Sequence, residues 1–284
     1  ATTALVMTAG FASAEVTFSG KAGAGISTTA AAAGVVYSGI DLNFSASTTT
    51  DSGMTISVGE DIGGGSLLDL RDDFAVESQS GTVGVPTVKI VAAGVTISME
   101  NDAIANLYDE DLDDGDIGVS GAFGDLTWAV TTETNTADLA EVGRTTKLGT
   151  AALATTNSYA FGYTMGAIGV SLSGTDNDQT AASASYTMGT TVFTLGSDKN
   201  GTVTTVSGGV ALELNGATVS YSGNDADEWD VAVGYTLDGA SLAYSTSEEN
   251  NWKATAVYAL GGGASIEAGT NNANTSHVGV VFKF

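Results

Sequence analysis

An all-β, closed antiparallel transmembrane barrel of 16 to 18 strands is the fold class that this sequence predicts, and three observations carry it. Apolar residues alternate with small or polar ones at a period of two through most of the chain. Very short glycine turns alternate with longer polar connections, as though the two ends of the strands faced different compartments. The last residues, "SHVGVVFKF", form an alternating apolar strand that stops on an aromatic, where a soluble chain usually frays into a polar tail.

Composition narrows the class further. The 284 residues suffice for one large domain or two ordinary ones. Cysteine is absent and His277 is the single histidine, so disulfide frameworks, thiolate sites and multi-histidine metal sites are excluded. Glycine reaches 38 residues while proline occurs once, at Pro86, which favours many strands over a disordered linker. With 33 acids against eight bases the net charge is −25, which argues against nucleic acid as a partner and makes cations the natural counterparts. That acidity serves either charge selection or solubility in a saline medium, and composition leaves both open. No run of 18 or more apolar residues occurs, so no transmembrane helix is expected.

Taken in order, the first residues, "ATTALVMTAGFASA", read as an export signal. An apolar stretch leads to Ala12-Ser13-Ala14, the small-residue cleavage pattern. Residues 1–14 are therefore expected to be a residual signal peptide and residues 15–284 a single mature domain, a short apolar N-terminal strand or helix being the competing reading. In the first strand Val16 and Phe18 share one face while Glu15, Thr17, Ser19 and Lys21 share the other. Ile40, Leu42 and Phe44 alternate with Asp41, Asn43 and Ser45; Tyr159, Phe161, Tyr163 and Met165 alternate with small residues. Trp229, Val231, Val233, Tyr235 and Leu237 repeat the pattern, as do Trp252, Ala254, Ala256, Tyr258 and Leu260 against Lys253, Thr255 and Val257.

The short turns are "TTTDSG" near Asp51, "AAG" at Gly94, "GAFGD" at Gly124, "YTMGA" at Gly166, "YTMGT" at Gly189, "LNGA" at Gly216, "LDGA" at Gly239 and "LGGGA" at Gly262. Eight turns on the side of the termini imply 18 strands, or 16 if one hairpin is miscounted. Polar connections such as "GTDNDQT", "GSDKNGT", "SGNDADE" and "STSEENN" lie between them. The apolar faces can meet each other in a soluble sandwich or meet lipid in a barrel whose polar face lines water. Tyr163, Tyr186, Tyr235 and Tyr258 each sit shortly before a short turn, as a girdle at a membrane interface requires. Ordinary cross-strand aromatic packing is the competing explanation.

The tail "YALGGGASIEAGTNNANTSHVGVVFKF", the "TTTDSG" and "GAFGD" turns and the start "AEVTFSGKAGAGIS" resemble the alphaproteobacterial general porins. The resemblance implies a bacterial outer-membrane channel for passive diffusion of ions and small hydrophilic solutes, surrounded by outer-membrane lipid and lipopolysaccharide. It also implies a homotrimer, packed through outer faces near the termini such as Val16, Ile40 and Phe44. Phe284 becomes the terminal assembly signal read by the barrel assembly machinery. By the same resemblance "VTISMENDAIANLYDEDLDDGD" is the fifth strand plus an inward-folded constriction loop running from about Ala103 to Asp116, shorter than in the family. "DIGGGSLLDLRDD" falls in the second external connection, which in the family latches a neighbouring subunit.

Within that frame Asp109, Glu110, Asp111, Asp113, Asp114 and Asp116 put six carboxylates into eight residues. Such crowding repels unless water or cations screen it. The cluster is a pore constriction, a calcium site drawing on Asp109, Asp111 and Asp113, or a solvated face. No other cofactor is implied. Alternation places Lys21, Lys89 and Lys253 on the lumen side, where they either set a transverse field against the acidic loop or pair with local acids such as Asp41 and Glu100. Glu15 and Lys283 are expected to pair where the barrel closes. No catalytic constellation is present: "GGGSLLDL" lacks the Gly-Lys-Ser/Thr ending of a phosphate loop. A cation-preferring channel is the expected function, and an acidic calcium-binding surface-layer or adhesion-type structural protein is the alternative.

Overall fold

The computed structural model describes residues 3–6, 14–30, 32–70, 74–79, 81, 83, 85–109, 112, 114–133 and 157–284. The strands are β1 (Thr3–Val6), β2 (Glu15–Thr29), β3 (Ala32–Thr49), β4 (Thr55–Leu68), β5 (Val76–Ser78), β6 (Thr87–Ala92) and β7 (Val95–Ile104). They continue with β8 (Gly115–Phe123), β9 (Leu126–Thr132), β10 (Asn157–Met165), β11 (Ile168–Thr175), β12 (Gln179–Met188), β13 (Thr191–Asn200) and β14 (Val203–Leu214). The last six are β15 (Ala217–Asn224), β16 (Trp229–Leu237), β17 (Ala240–Ser247), β18 (Trp252–Gly261), β19 (Ala264–Asn271) and β20 (Ser276–Lys283).

Pairing runs β2–β3–β4–β6, then strand by strand to β20, which closes on β2. Of the twenty strands, β1 and β5 stand outside this ring, so the barrel has eighteen, every pair antiparallel. Closure removes the sheet edges that an open eighteen-stranded sheet would expose.

Local chemistry makes the turns. At Asn215-Gly216 φ is 50° and 82°, and at Asp238-Gly239 it is 46° and 84°. Positive φ at both central residues is the type I′ geometry that matches the strand twist, and Asn-Gly and Asp-Gly reach it most easily. All eight short turns lie at the end of the barrel where β2 begins and β20 ends. The opposite end carries most of the longer connections, although only residues 30–31 join β2 to β3, and one of the expected loops is absent. "GSDKNGT" is no loop: Asp198, Lys199 and Asn200 belong to β13, Asn200 pairs with Val203, and Gly201 makes the turn at φ 60°. Side chains at an external strand end meet water on either face, so their polarity did not mark a loop.

The two faces of the wall differ as alternation requires. Outward, large apolar side chains stay exposed, among them Phe18, Ile40, Leu195, Leu242 and Val280. Tyr163, Tyr186, Tyr235 and Tyr258 also face out near the short turns. Trp252 stacks on outward Tyr244 with ring centroids 6.4 Å apart. Six residues separate Trp252 from Tyr258, as they do Trp229 from Tyr235. That is about 20 Å along a strand, which suits an apolar band of about 25 Å between two aromatic girdles.

The seam sits at Gly20. Phe284 N donates to Gly20 O at 3.1 Å, Gly20 N donates to Phe284 O at 3.0 Å, and the Phe284 ring stacks on Phe282. Past Gly20 the free edge of β2 pairs instead with β1, Phe18 against Thr3 and Glu15 against Val6. Of the expected cleavage motif, Ala12 and Ser13 lie outside the described residues.

Candidate functional site

The lumen face of β10 to β17 is built mostly from Ser, Thr, Ala and Gly, with Asp198, Glu213 and Asp230 as its charged residues. Small hydroxyl-bearing residues follow from the alternation, because each lies between two outward apolar neighbours. A wall of this kind holds water without binding it tightly to fixed charge.

Across that wall comes the connection 105–114 between β7 and β8. Strand takes both of its expected margins, since β7 ends at Ile104 and β8 starts at Gly115. Asn106 is buried, and its Oδ1 accepts from Tyr108 N at 3.0 Å. Leu107 N donates to Ser158 Oγ at 2.9 Å, and Ser158, which is 1% exposed, also shares a short hydrogen bond with Thr131. The next residue reaches farther: Tyr108 OH donates to Asp198 Oδ1 at 2.8 Å, on β13. The segment is thus strapped to the inner wall at β10 and again at β13. Partial desolvation, the Asp198 hydrogen bond and the charges of Asp198 and Asp109 push the Tyr108 phenol up to about 12.

Asp109 is exposed beside this strap, at a recess of about 550 Å³ shared with Asn106, Tyr108, Asp198 and Asn200. Asp114 is half-buried, and Asp116 lies on the inward face of β8, in register alternation with Gly118 and Ser120. Glu110, Asp111 and Asp113 lie outside the described residues. Among the described residues no group of three or more His, Cys, Asp or Glu is placed to hold a metal ion.

The lysines occupy the opposite arc. Lys21 on β2 stands between Lys283 on β20 and Asp41 on β3. Like charges directly across a strand pair repel, so Asp41 offsets the Lys21–Lys283 pair. Glu15, by contrast, is registered against Ser47, six residues along β2 from Lys21. The structure therefore does not bring Glu15 and Lys283 together: the stagger needed to close a barrel offsets the two ends of the chain. Lys89 on β6 faces Ser57 and Ser98, at a recess of about 460 Å³ that also includes Asp61 and Glu100. Glu100 accepts a short hydrogen bond from Thr87. Lys253 on β18 stands between Ser245 and Asn271.

Sequence reasoning missed a third group. Leu67 and Leu68 at the end of β4, a stretch expected to be external connection, and Leu70 and Phe74 just beyond it are buried inside the barrel with Tyr37 and His277. The available signal was the adjacent apolar pair Leu67-Leu68, which breaks alternation just where a water-facing loop was expected. The described residues of this connection pack on their own barrel wall.

Comparisons with known proteins agree with this architecture. A family model described as Gram-negative porin matches residues 1–279. A triple mutant of Rhodopseudomonas blastica porin superposes with a TM-score of 0.55 at 15% identity, covering 95% of this chain and 100% of that one. Pseudomonas aeruginosa OccK8 (OprE) superposes with a TM-score of 0.60 at 10% identity, covering 95% of this chain and 97% of that one. A sequence comparison with curated proteins finds no match. The closed eighteen-stranded barrel, its apolar exterior and polar interior, and a family match over nearly the full length together place this chain in the Gram-negative porin family, as an outer-membrane channel protein.

Proposed function

We propose that this porin is a cation-preferring channel for ions and small hydrophilic solutes, with the strap at 105–114 as its constriction. One observation supports the reading: Tyr108 donates to Asp198 on the lumen face of β13, which brings Asp109 to a recess at the inner wall. Solutes passing that segment meet carboxylates, and the hydroxyl wall beyond offers hydrogen bonds without selecting a charge. Exposed charges act over about 8 Å at physiological ionic strength, so the strap biases ions that pass it. Lys21, Lys89 and Lys253 temper this bias from the facing arc. Calcium captured by Asp109, Asp111 and Asp113 would lower the same preference.

Other parts of the reading rest on the family. The chain assembles as a homotrimer through the outward faces around Val16, Ile40 and Phe44, in contact with lipopolysaccharide and lipid. Residues 1–14 are removed on export. Phe284 is the residue that the assembly machinery reads.

Reversal potentials in a salt gradient test the selectivity. The wild type prefers cations, most clearly in dilute salt, and replacing Asp109, Asp111, Asp113 and Asp114 by Asn lowers the preference. An anion-selective wild type, or a quadruple variant with unchanged reversal potential, would show that this segment lies off the permeation path.

A further inference from the structure

The buried apolar side chains among the described residues are Tyr37, Leu67, Leu68, Leu70 and Phe74; four of them form one cluster inside the lumen, and Leu67 lies beside it against Gly23 of the same inner wall. A barrel whose exterior meets lipid and whose interior meets water needs no such core. Its construction begins at Gly65, where φ is +74° and a Cβ would lie 2.2 Å from Ser38 O. Only glycine passes there, and beyond it β4 leaves β3 and pairs with β5: Leu67 opposite Glu77, Leu68 opposite Val76. Asp69 N donates to Ala75 O at 2.9 Å and closes this small hairpin.

The inner wall is shaped to receive the hairpin. A Cβ on Gly269 would lie 2.5 Å from Phe74 Cε2 and 3.0 Å from Leu70 Cδ1, and one on Gly23 would lie 3.3 Å from Leu67 Cδ2. Phe74 meets His277 edge to face at 4.7 Å. His277 Nε2 lies 3.1 Å from Phe74 O, and since a carbonyl only accepts, that nitrogen carries the hydrogen. Phe74 itself sits at φ +64°, a conformation that a bulky side chain keeps only where its surroundings hold it. Val257 on β18 and Tyr37 on β3 complete the contact.

The lobe thus rests on β18, β19, β20, β2 and β3. Nine strands around a ring of eighteen from β20 lies β11, between the two points where the strap 105–114 is fastened. Two inserts, leaving the ring at β4 and β7, are thus fastened to opposite walls of the lumen.

We propose that the lobe anchored by Leu67, Leu68, Leu70 and Phe74 is a second constriction wall, and that Leu70 and Phe74, by holding it on the wall, help to set the size limit for solutes. This rests on the channel reading and adds a packed insert to a path otherwise narrowed by the strap. The four side chains are buried against the wall and do not meet solute; the lobe they anchor takes up cross-section opposite the strap, so width there is governed by two inserts instead of one.

The test compares wild type with a Leu70→Ala/Phe74→Ala variant in planar bilayers and in liposome swelling with sugars of increasing size. The variant's single-channel conductance is expected to rise about 1.5-fold or more, because conductance follows the open cross-section, and larger sugars are expected to enter. Unchanged conductance and unchanged sugar cut-off in a correctly inserted variant would overturn the second constriction while leaving the channel reading intact. A wild type that passes no current would overturn both. Should the double variant fail to insert, thiol accessibility decides, since the chain has no cysteine of its own. Val257→Cys, beneath the lobe, is expected to react about tenfold more slowly with a water-soluble methanethiosulfonate than Ser222→Cys on the uncovered wall, because reaction there waits on local opening. Equal rates would mean that the lobe does not cover the wall, and the proposal would fall.

Discussion

Replacing Lys89 by Gln isolates one inward charge without touching backbone pairing or the strap. Lys89 is exposed on the lumen side of β6, and its hydrogen-bonding neighbours across the ladder, on β4 and β7, are Ser57 and Ser98. Glu100 stands one diagonal step away and Asp61 lines the same recess, so loss of the ammonium makes the recess more negative. For an ion passing at 8 Å, a unit charge in water contributes about 0.5 kcal/mol. At 0.1 M salt the Debye length of about 10 Å reduces this to about 0.2 kcal/mol. Lys89 then disfavours each cation and favours each anion by about 1.5-fold, and its removal raises the cation-to-anion permeability ratio about twofold. At 1 M, where the Debye length is about 3 Å, the difference disappears. Reversal potentials of reconstituted protein at both salt concentrations measure this. No change at 0.1 M, or a shift towards anions, would refute the placement of Lys89 on the permeation path. A shift of equal size at 1 M would show that the substitution changed the shape of the pore rather than its field.

Three further outcomes are expected. Tyr108→Phe removes the tie to Asp198, so the strap loosens and open-channel noise rises. Because the phenol is held up at about 12, the wild-type tie is complete below pH 10, its ordinary value, and is lost as pH climbs through 12. The wild type therefore becomes noisy across that interval, and the Phe variant shows no such transition. Deleting Phe284 removes both hydrogen bonds to Gly20 and the stack on Phe282, and folded barrel in outer-membrane fractions is expected to fall while export continues. Leu195→Arg places a charge on an outward position that is 68% exposed, and a cost of about 2–4 kcal/mol at mid-bilayer is expected to lower the unfolding midpoint in lipid vesicles.

Most features that depend on neighbours two to four residues apart were legible in the sequence, the strand end at Asp198–Asn200 excepted. Val16 and Phe18 alternate with Thr17 and Ser19 because a strand has a period of two, and Asn215-Gly216 turns because both residues reach positive φ. Counting such turns gives the ring of eighteen without any knowledge of which strands meet. Phe284 was legible as the end of a paired strand for the same reason. The tertiary structure alone decided what crosses the lumen. Tyr108 and Asp198 are 90 residues apart and His277 and Phe74 are 203 apart, so their meeting depends on ring closure and on the stagger between strands. That stagger sets Lys283 against Lys21 and leaves Glu15 at Ser47, a register that no local pattern encodes. It also turns the hairpin after Gly65 inward, because a leucine pair with no lipid beside it finds an apolar partner only on the glycine-lined wall across the seam.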